Sequence, residues 1–304
     1  MPSWHSLSLA LPAFFEGLPV TKTIIHVSDI HFGWPCDLEQ VAALVRVAPE
    51  LEPDAIAISG DLTQRARHGE FQRALVFLDQ MKAIAPTLVV PGNHDVQWWQ
   101  SPFGIRGQRV KFTKYREYID EDLTPVIHVP GAVLAGALTA YGFSFGALTW
   151  NPNDVTVKGH LPKIETDRLQ KIFSEAPPED ARIVALHHNV LRGQLSQRMG
   201  LAHWRSAQTR LIHTGADVVL CGHDHQEGIG QIDGVLPVST VGTHSSRSRG
   251  KRPSVFNVIR IDDEAVHIQH MRWERDRSTF RASDQHSFVR PTQAERGTGV
   301  ASPA

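Results

Sequence analysis

The sequence predicts a single-domain α/β fold, a sheet covered by helices, and three observations carry that prediction. Apolar runs of strand length alternate with segments of helical periodicity from Lys22 to Val90. Five polar islands each directly follow an apolar run: Asp29-Ile30-His31, Gly60-Asp61, Gly92-Asn93-His94-Asp95, His187-His188 and Gly222-His223-Asp224-His225. With 41% apolar and 21% charged residues, the 304-residue chain has the composition of an ordinary globular protein with one large core.

Lys22 to Ser28 reads as a first strand, with His26 inside it in a structural role. Asp37 to Leu51 has helical spacing at Leu38, Val41, Leu44, Val45 and Val47, with Asp37 as its N-cap. Ala55 to Ser59 is a second buried strand, Phe71 to Ala83 a second amphipathic helix, and Thr87 to Val90 a third strand closed by Pro91-Gly92. Strand, helix, strand, helix, strand implies right-handed crossovers, and ligands in such sheets collect beyond the carboxyl ends of the strands. Val96 to Asp122 differs: aromatics (Trp98, Trp99, Phe103, Tyr115, Tyr118) are interleaved with basic residues in a loop and helix inserted beside the site, around 96–122. The commoner use of such aromatics is to pack an insert onto its domain; the sharper one is to cap a pocket.

Short glycine-punctuated strands follow from Val126 to Thr149, then a helix from Pro162 to Ser174. Arg182 to Leu186 and Ala216 to Leu220 are buried strands feeding the last two islands. Val235 to Val241, Ser254 to Ile261 and Ala265 to Trp273 read as a closing antiparallel set. The domain thus spans 21–275, and residues 281–304 lose apolar periodicity and read as a disordered tail. The N-terminal segment, 1–20, is apolar from Leu7 to Phe15 but short and without a basic start, so it reads as neither signal peptide nor membrane span. A surface-docked segment with at most weak membrane contact, or a misassigned start codon, is the expectation.

Charge and cysteine usage narrow the function classes. With 31 basic and 32 acidic residues, nothing favours nucleic acid or an anionic membrane as the main partner. Two cysteines, Cys36 and Cys221, lack metal-finger spacing and point to a reducing, cytoplasmic setting. Seventeen histidines are the outlier, and several fall in the islands.

Carboxylates, imidazoles and one amide oxygen form a ligand set for hard-to-borderline divalent metals. Asp29 and His31, at i and i+2 on an extended strand end, would leave the same face and hold one cation. Asp61 could bridge two ions, and Asn93 offers a neutral oxygen. His187 needs only to approach the second ion, and His223 and His225 could feed one metal each. Two-metal hydrolytic sites hold their ions roughly 3.5–4 Å apart and lower a bound water's pKa to about 7. His94 could act as a general acid toward the leaving group. His188 either touches substrate or is a buried hydrogen-bonding histidine. Arg247, Arg249, Lys251 and Arg252 either line an anion site or form a solvated charge run, and His203 and His244 are candidates for supporting positions.

Together the five islands resemble the full motif set of the calcineurin-like metallophosphoesterase superfamily. Ser28-Asp29-Ile30-His31-Phe32-Gly33 and the Arg67 to Phe71 neighbourhood are most similar to its class III cyclic-nucleotide phosphodiesterase branch. The resemblance implies a four-layer α/β/β/α sandwich. It implies one metal held by Asp29, His31, Asp61 and His225, and a second held by Asp61, Asn93, His187 and His223, with Asp61 bridging. His94 would contact phosphate or protonate the leaving group, and a metal-bound hydroxide would attack phosphorus; Asn93 and, on the first of its two readings, His188 are the further candidates for substrate contact. One departure is Asn189, where that branch usually has proline after the paired histidines. The ligand chemistry admits manganese, iron, zinc, cobalt or magnesium. The expected substrate is a small phosphodiester such as a cyclic nucleotide. The competing readings are a nucleotide-lipid (UDP-diacylglucosamine-type) pyrophosphatase, suited by the apolar N-terminus and the Trp98-Trp99 insert, and a non-catalytic scaffold, which should have lost ligands.

Overall fold

A computed structural model describes residues 21–97, 111–141 and 158–291. The N-terminal segment, Trp98, Trp99, Phe103 and the last thirteen residues therefore lie outside the described residues.

The first sheet grows from the parallel strands β1 (Lys22–Val27), β2 (Ala55–Ile58) and β3 (Thr87–Val89). Helices α1 (Leu38–Val47) and α2 (His68–Ile84) make the crossovers between them. Asp37 caps α1 as expected, its carboxylate accepting from the N–H groups of Glu39 and Gln40. A short helix α3 (Thr113–Tyr118) follows, then β4 (Val126–Val129), β5 (Ala132–Gly136), α4 (Lys163–Glu175), β6 (Ala181–Ala185), α5 (Trp204–Ile212) and β7 (Val218–Cys221). The chain then forms β8 (Gly228–Ile232), β9 (Leu236–Thr240), β10 (Val255–Ile261), β11 (Ala265–Glu274) and β12 (Thr279–Val289). Among the described residues the strands make two sheets, in the orders β12-β11-β10-β1-β2-β3 and β4-β5-β6-β7-β9-β8.

Side-chain alternation along these strands produces the layers. Ile25, Val27, Ile56 and Ile58 face α1 and α2 and join Val41, Leu44, Phe71 and Phe77 in one apolar cluster. Val184, Val219 and Val238 face the other way and meet Leu169, Phe173, Leu211 and Ile212 of α4 and α5. Ile24, Ala55, Ala57, Leu134, Ile183, Ala185 and Leu220 form a third cluster between the sheets. Three interfaces mean four layers, α/β/β/α, in one domain. A polar chain crosses the inner layer: His26 lies 2.9 Å from Ser239 Oγ through Nδ1 and 2.9 Å from Ser59 Oγ through Nε2, and Asn257 Nδ2 donates to Ser239 Oγ at 2.7 Å. Burial pushes His26 down to about 3, so it serves as a neutral linker between the sheets.

Three expectations need correcting. Val235 to Val241 does not close the set formed by β10 and β11. It becomes β9 of the second sheet, parallel to β7 and antiparallel to β8. The supposed tail beyond 281 begins as β12, which pairs along its length with β11. Leu38 also stands apart from its helix's apolar face at 60% exposure. The described part of the 96–122 insert packs inward: Phe112 and Tyr115 are buried, and Tyr118 stacks on Phe71 with ring centroids 5.5 Å apart. Among the described residues no helix is long and apolar enough to cross a membrane.

Candidate metal centre

The carboxyl ends of β1, β2, β3, β6 and β7 point to one place, and all five islands meet there. Their loops are laced together by backbone: Asp29 N–H donates to Gly60 O (3.0 Å), His31 N–H to Asp61 O (2.9 Å) and Gly222 N–H to His187 O (2.9 Å). Such close approach leaves no room for side chains at the glycines. A Cβ on Gly60, whose φ is +95°, would lie 2.7 Å from Gly92 N, and one on Gly222 would lie 2.3 Å from Asp29 Oδ2.

The donors fall into two groups. Around Asp29 Oδ1 lie His225 Nε2 at 3.3 Å and His31 Nε2 at 3.6 Å, while His31 Nε2 is 3.7 Å from Asp61 Oδ2 and 2.9 Å from His225 Nε2. On the other side, His187 Nε2 is 3.3 Å from Asp61 Oδ2 and 3.0 Å from Asn93 Oδ1, and His223 Nδ1 is 3.0 Å from the same amide oxygen. Asp61 Oδ2 belongs to both groups. These spacings are close to the edges of a coordination shell with metal–ligand bonds of about 2.0–2.2 Å.

Each aspartate has one oxygen committed to the backbone and the other aimed inward. Asp61 Oδ1 accepts from His94 N–H at 2.8 Å, and Asp29 Oδ2 accepts from His223 N–H at 2.9 Å. Asp29 Oδ1 is fully buried and accepts no hydrogen bond, although His225 Nε2 is near. An orphaned buried carboxylate oxygen facing imidazole nitrogens is costly alone and fits a cation. The donor set matches that fit: Asp29, His31, Asp61 and His225 offer atoms within 4.8 Å of one another, as do His187, His188 and His223.

The imidazoles are held from behind. His187 Nδ1–H donates to Ser59 O at 2.8 Å and His225 Nδ1–H to Arg247 O at 3.4 Å, which turns each Nε2 toward the centre. Electrostatics divides the rings in the metal-free protein. Burial alone would lower His187, but the charges of Asp61 and Asp29 and the Ser59 carbonyl lift it to about 9. His223 is pushed down to about 3 by burial and by His187. Burial lowers His31, whereas for His225 Asp29 outweighs burial and raises it. Burial acts to raise Asp29 and Asp61, yet the surrounding histidines hold both well below the usual carboxylate range.

The local conformation was read wrongly from sequence. Asp29 and His31 reach one centre, but not from an extended strand end. Both have φ of 55°, and Asp61, His223 and His225 have φ of 52°, 73° and 53°. Five of the seven predicted ligands thus sit in the left-handed region, which Asp and His tolerate better than most residues. His223 and His225 go to opposite groups as expected. His94 is half-buried, its ring centroid 4.8 Å from that of His31, and its Nδ1–H donates to Gln64 O at 2.8 Å. His188 is buried, 2.9 Å from Thr139 Oγ1 through Nδ1, with its ring against His187 and His223. Asn189 donates to Leu191 O (2.8 Å) and Arg198 O (3.2 Å), bonds no proline could make, and so shapes the loop beside the site. His244 lies buried with its N–H on Asp29 O, whereas His203 is exposed at the start of α5.

Sequence reasoning gave no role to Asp95 and Asp224. Asp95 is buried and accepts from the N–H groups of Leu62, Thr63 and Gly92 and from the Thr63 hydroxyl, clamping the second and third islands. Burial and the nearby Asp61 charge raise it to about 6. Asp224, between two candidate ligands, turns away to Ser196 Oγ (2.6 Å) and Arg249 (3.3 Å). The only sequence signal was their place inside the islands. Asp95→Ala orphans three buried N–H groups at about 1–3 kcal/mol each, so a stability loss on the order of 3 kcal/mol or more is expected in denaturant titration. A loss under about 1 kcal/mol would mean the clamp is not structural.

A family description, calcineurin-like phosphoesterase, matches residues 22–227. No curated protein sequence matches the chain. Among solved structures, a dimetal phosphatase from Danio rerio superposes with a TM-score of 0.62 at 10% identity, covering 90% of this chain and 100% of its own. A purple acid phosphatase, PPD1, from yellow lupin (Lupinus luteus) seeds gives 0.65 at 12% identity over 91% of this chain and 55% of its own. PhoD gives 0.61 at 14% identity over 93% and 72%. At these identities the likeness is one of fold, and it is the family match over two thirds of the length that identifies the chain as a metal-dependent phosphoesterase of the calcineurin-like family.

Proposed function

We propose that this protein is a dinuclear phosphodiesterase, with Asp29, His31, Asp61 and His225 holding one divalent cation and Asp61, Asn93, His187 and His223 the other. The observation that carries the reading is the pairing of pinned and free carboxylate oxygens, which leaves Asp61 Oδ2 shared between two donor groups. Two divalent ions there would supply Lewis acidity toward the phosphate and an activated water; manganese, iron, zinc, cobalt and magnesium all suit the donors.

The chain's own residues do the rest. His94 has its Nδ1 proton fixed on Gln64 O, so Nε2 is the atom that can carry a proton to the departing alkoxide. Asp61 positions His94 by accepting its backbone N–H. Asn93, half-buried beside it, adds a neutral amide able to meet a phosphate oxygen. The diester is favoured by the likeness of Ser28-Asp29-Ile30-His31-Phe32-Gly33 to the cyclic-nucleotide phosphodiesterase branch; Arg249 and Arg252, engaged by Asp224 and Glu227, add little for a dianion. The features that favoured a nucleotide-lipid pyrophosphatase, the apolar N-terminus and Trp98-Trp99, lie outside the described residues, and the complete ligand set weighs against a scaffold.

Hydrolysis of bis(p-nitrophenyl) phosphate beside p-nitrophenyl phosphate, on metal-stripped protein refilled with manganese, tests the reading. The diester should be preferred by roughly tenfold or more in kcat/KM. Monoester preference would replace the diesterase by a phosphatase, and cleavage of neither with two ions bound would favour the scaffold.

Loading should also release protons. His187 carries a proton below about 9 in the metal-free protein, and a ligand nitrogen must lose it. Metal affinity should therefore rise with pH up to that value, by about tenfold per unit for each proton displaced. Calorimetric titration with manganese at several pH values reads this directly, and a flat affinity between neutral pH and 9 would mean that loading displaces no proton from His187.

A further inference from the structure

We propose that Trp34 and Arg247 form a subsite that stacks the nucleobase of a nucleoside phosphoester bound at the metal centre. Trp34 is 78% exposed, three residues beyond His31. An indole in water forgoes one of the largest apolar burials available to a side chain, so an ordered one beside a reaction centre calls for a partner. Its place is set by backbone. Cys36 N–H donates to Gly33 O at 3.0 Å, Ser246 N–H to Pro35 O at 3.1 Å, and Cys36 bridges Ser245 in antiparallel fashion.

The same pairing brings in Arg247, whose guanidinium carbon lies 5.1 Å from the indole centroid. The Arg247 carbonyl accepts from His225 Nδ1, and the Thr243 hydroxyl and His244 N–H both donate to Asp29 O. The platform is therefore built on the backbone that positions Asp29 and His225. Neighbouring Arg249 and Arg252 have carboxylate partners, but among the described residues no carboxylate pairs with Arg247. Its guanidinium donors are thus available to the edge of a planar ring. An exposed indole flanked by a guanidinium is chemistry suited to a heteroaromatic base, whose stacking on an aromatic side chain is worth about 1–3 kcal/mol.

This inference rests on the phosphoester reading above, so its test reads binding and not turnover. Affinities of adenosine 5′-monophosphate and ribose 5-phosphate for the manganese-loaded protein isolate the base, because the two ligands share sugar and phosphate. The wild type should bind the nucleotide about tenfold tighter or more, about 1.4 kcal/mol. Trp34→Ala should erase that preference while leaving ribose 5-phosphate affinity and metal content unchanged; Trp34→Phe should keep part of it, and Arg247→Ala should weaken it. Equal affinities in the wild type, or a preference that survives Trp34→Ala, would overturn the subsite whether or not the diester is cleaved. Failure of diester cleavage with the nucleotide preference intact would overturn the proposed reaction and leave the subsite standing.

Discussion

Asp61→Ala is expected to abolish turnover and strip metal together. Asp61 Oδ2 is the atom common to both donor groups, 3.7 Å from His31 Nε2 and 3.3 Å from His187 Nε2. Without it each group loses its anionic oxygen on the shared side, and His94 loses the acceptor of its backbone N–H. We expect kcat/KM to fall more than about 10³-fold, about 4 kcal/mol, with bound metal dropping from two ions to one or fewer by elemental analysis. Retained turnover with full metal content would remove Asp61 from the bridging position. Asp61→Asn separates the two contributions: its amide keeps an oxygen for the His94 N–H but lacks the charge that balances two cations.

His94→Ala should behave in the opposite way. The ring meets the site by its edge while Gln64 holds the far nitrogen, so the metal donors remain when it is removed. The rate should fall by about 10²–10⁴-fold with both ions still bound. The penalty should also depend on the leaving group: p-nitrophenolate departs with little help, whereas an alkoxide needs the proton. A larger loss for alkyl than for p-nitrophenyl diesters would identify proton donation, and an equal loss would assign His94 to phosphate contact. Parallel loss of metal and rate would make it a ligand.

The candidate ligand positions were legible because each follows an apolar strand, and β1, β2, β3, β6 and β7 lie within a residue or two of where periodicity put them. What stayed hidden depends on partners far along the chain. Thr279–Val289 is exposed over most of its length and is held by its pairing with β11, so no apolar alternation betrays it. Gly228–Ile232 carries two glycines in five residues and is fixed by its hairpin with β9. Which sheet Leu236–Thr240 joins is decided by its pairing with β7, which no local pattern encodes. The support behind the imidazoles was invisible for a different reason: the Ser59, Gln64 and Arg247 carbonyls act through backbone, and any side chain would offer the same oxygen.

The left-handed backbone at Asp29, His31, Asp61, His223 and His225 constrains how such a site can be lost. Each position answers to two demands: a donor atom for the centre, and a residue tolerant of positive φ. Relaxing the first leaves the second in force. Substitution by Gly would remove the donor, and by Asn would leave only a neutral amide oxygen, while the loops kept their course, whereas Val, Ile or Thr would strain them. A descendant that gave up hydrolysis but kept the shell should therefore carry Asn or Gly at these five places, and would need few further changes to regain its chemistry.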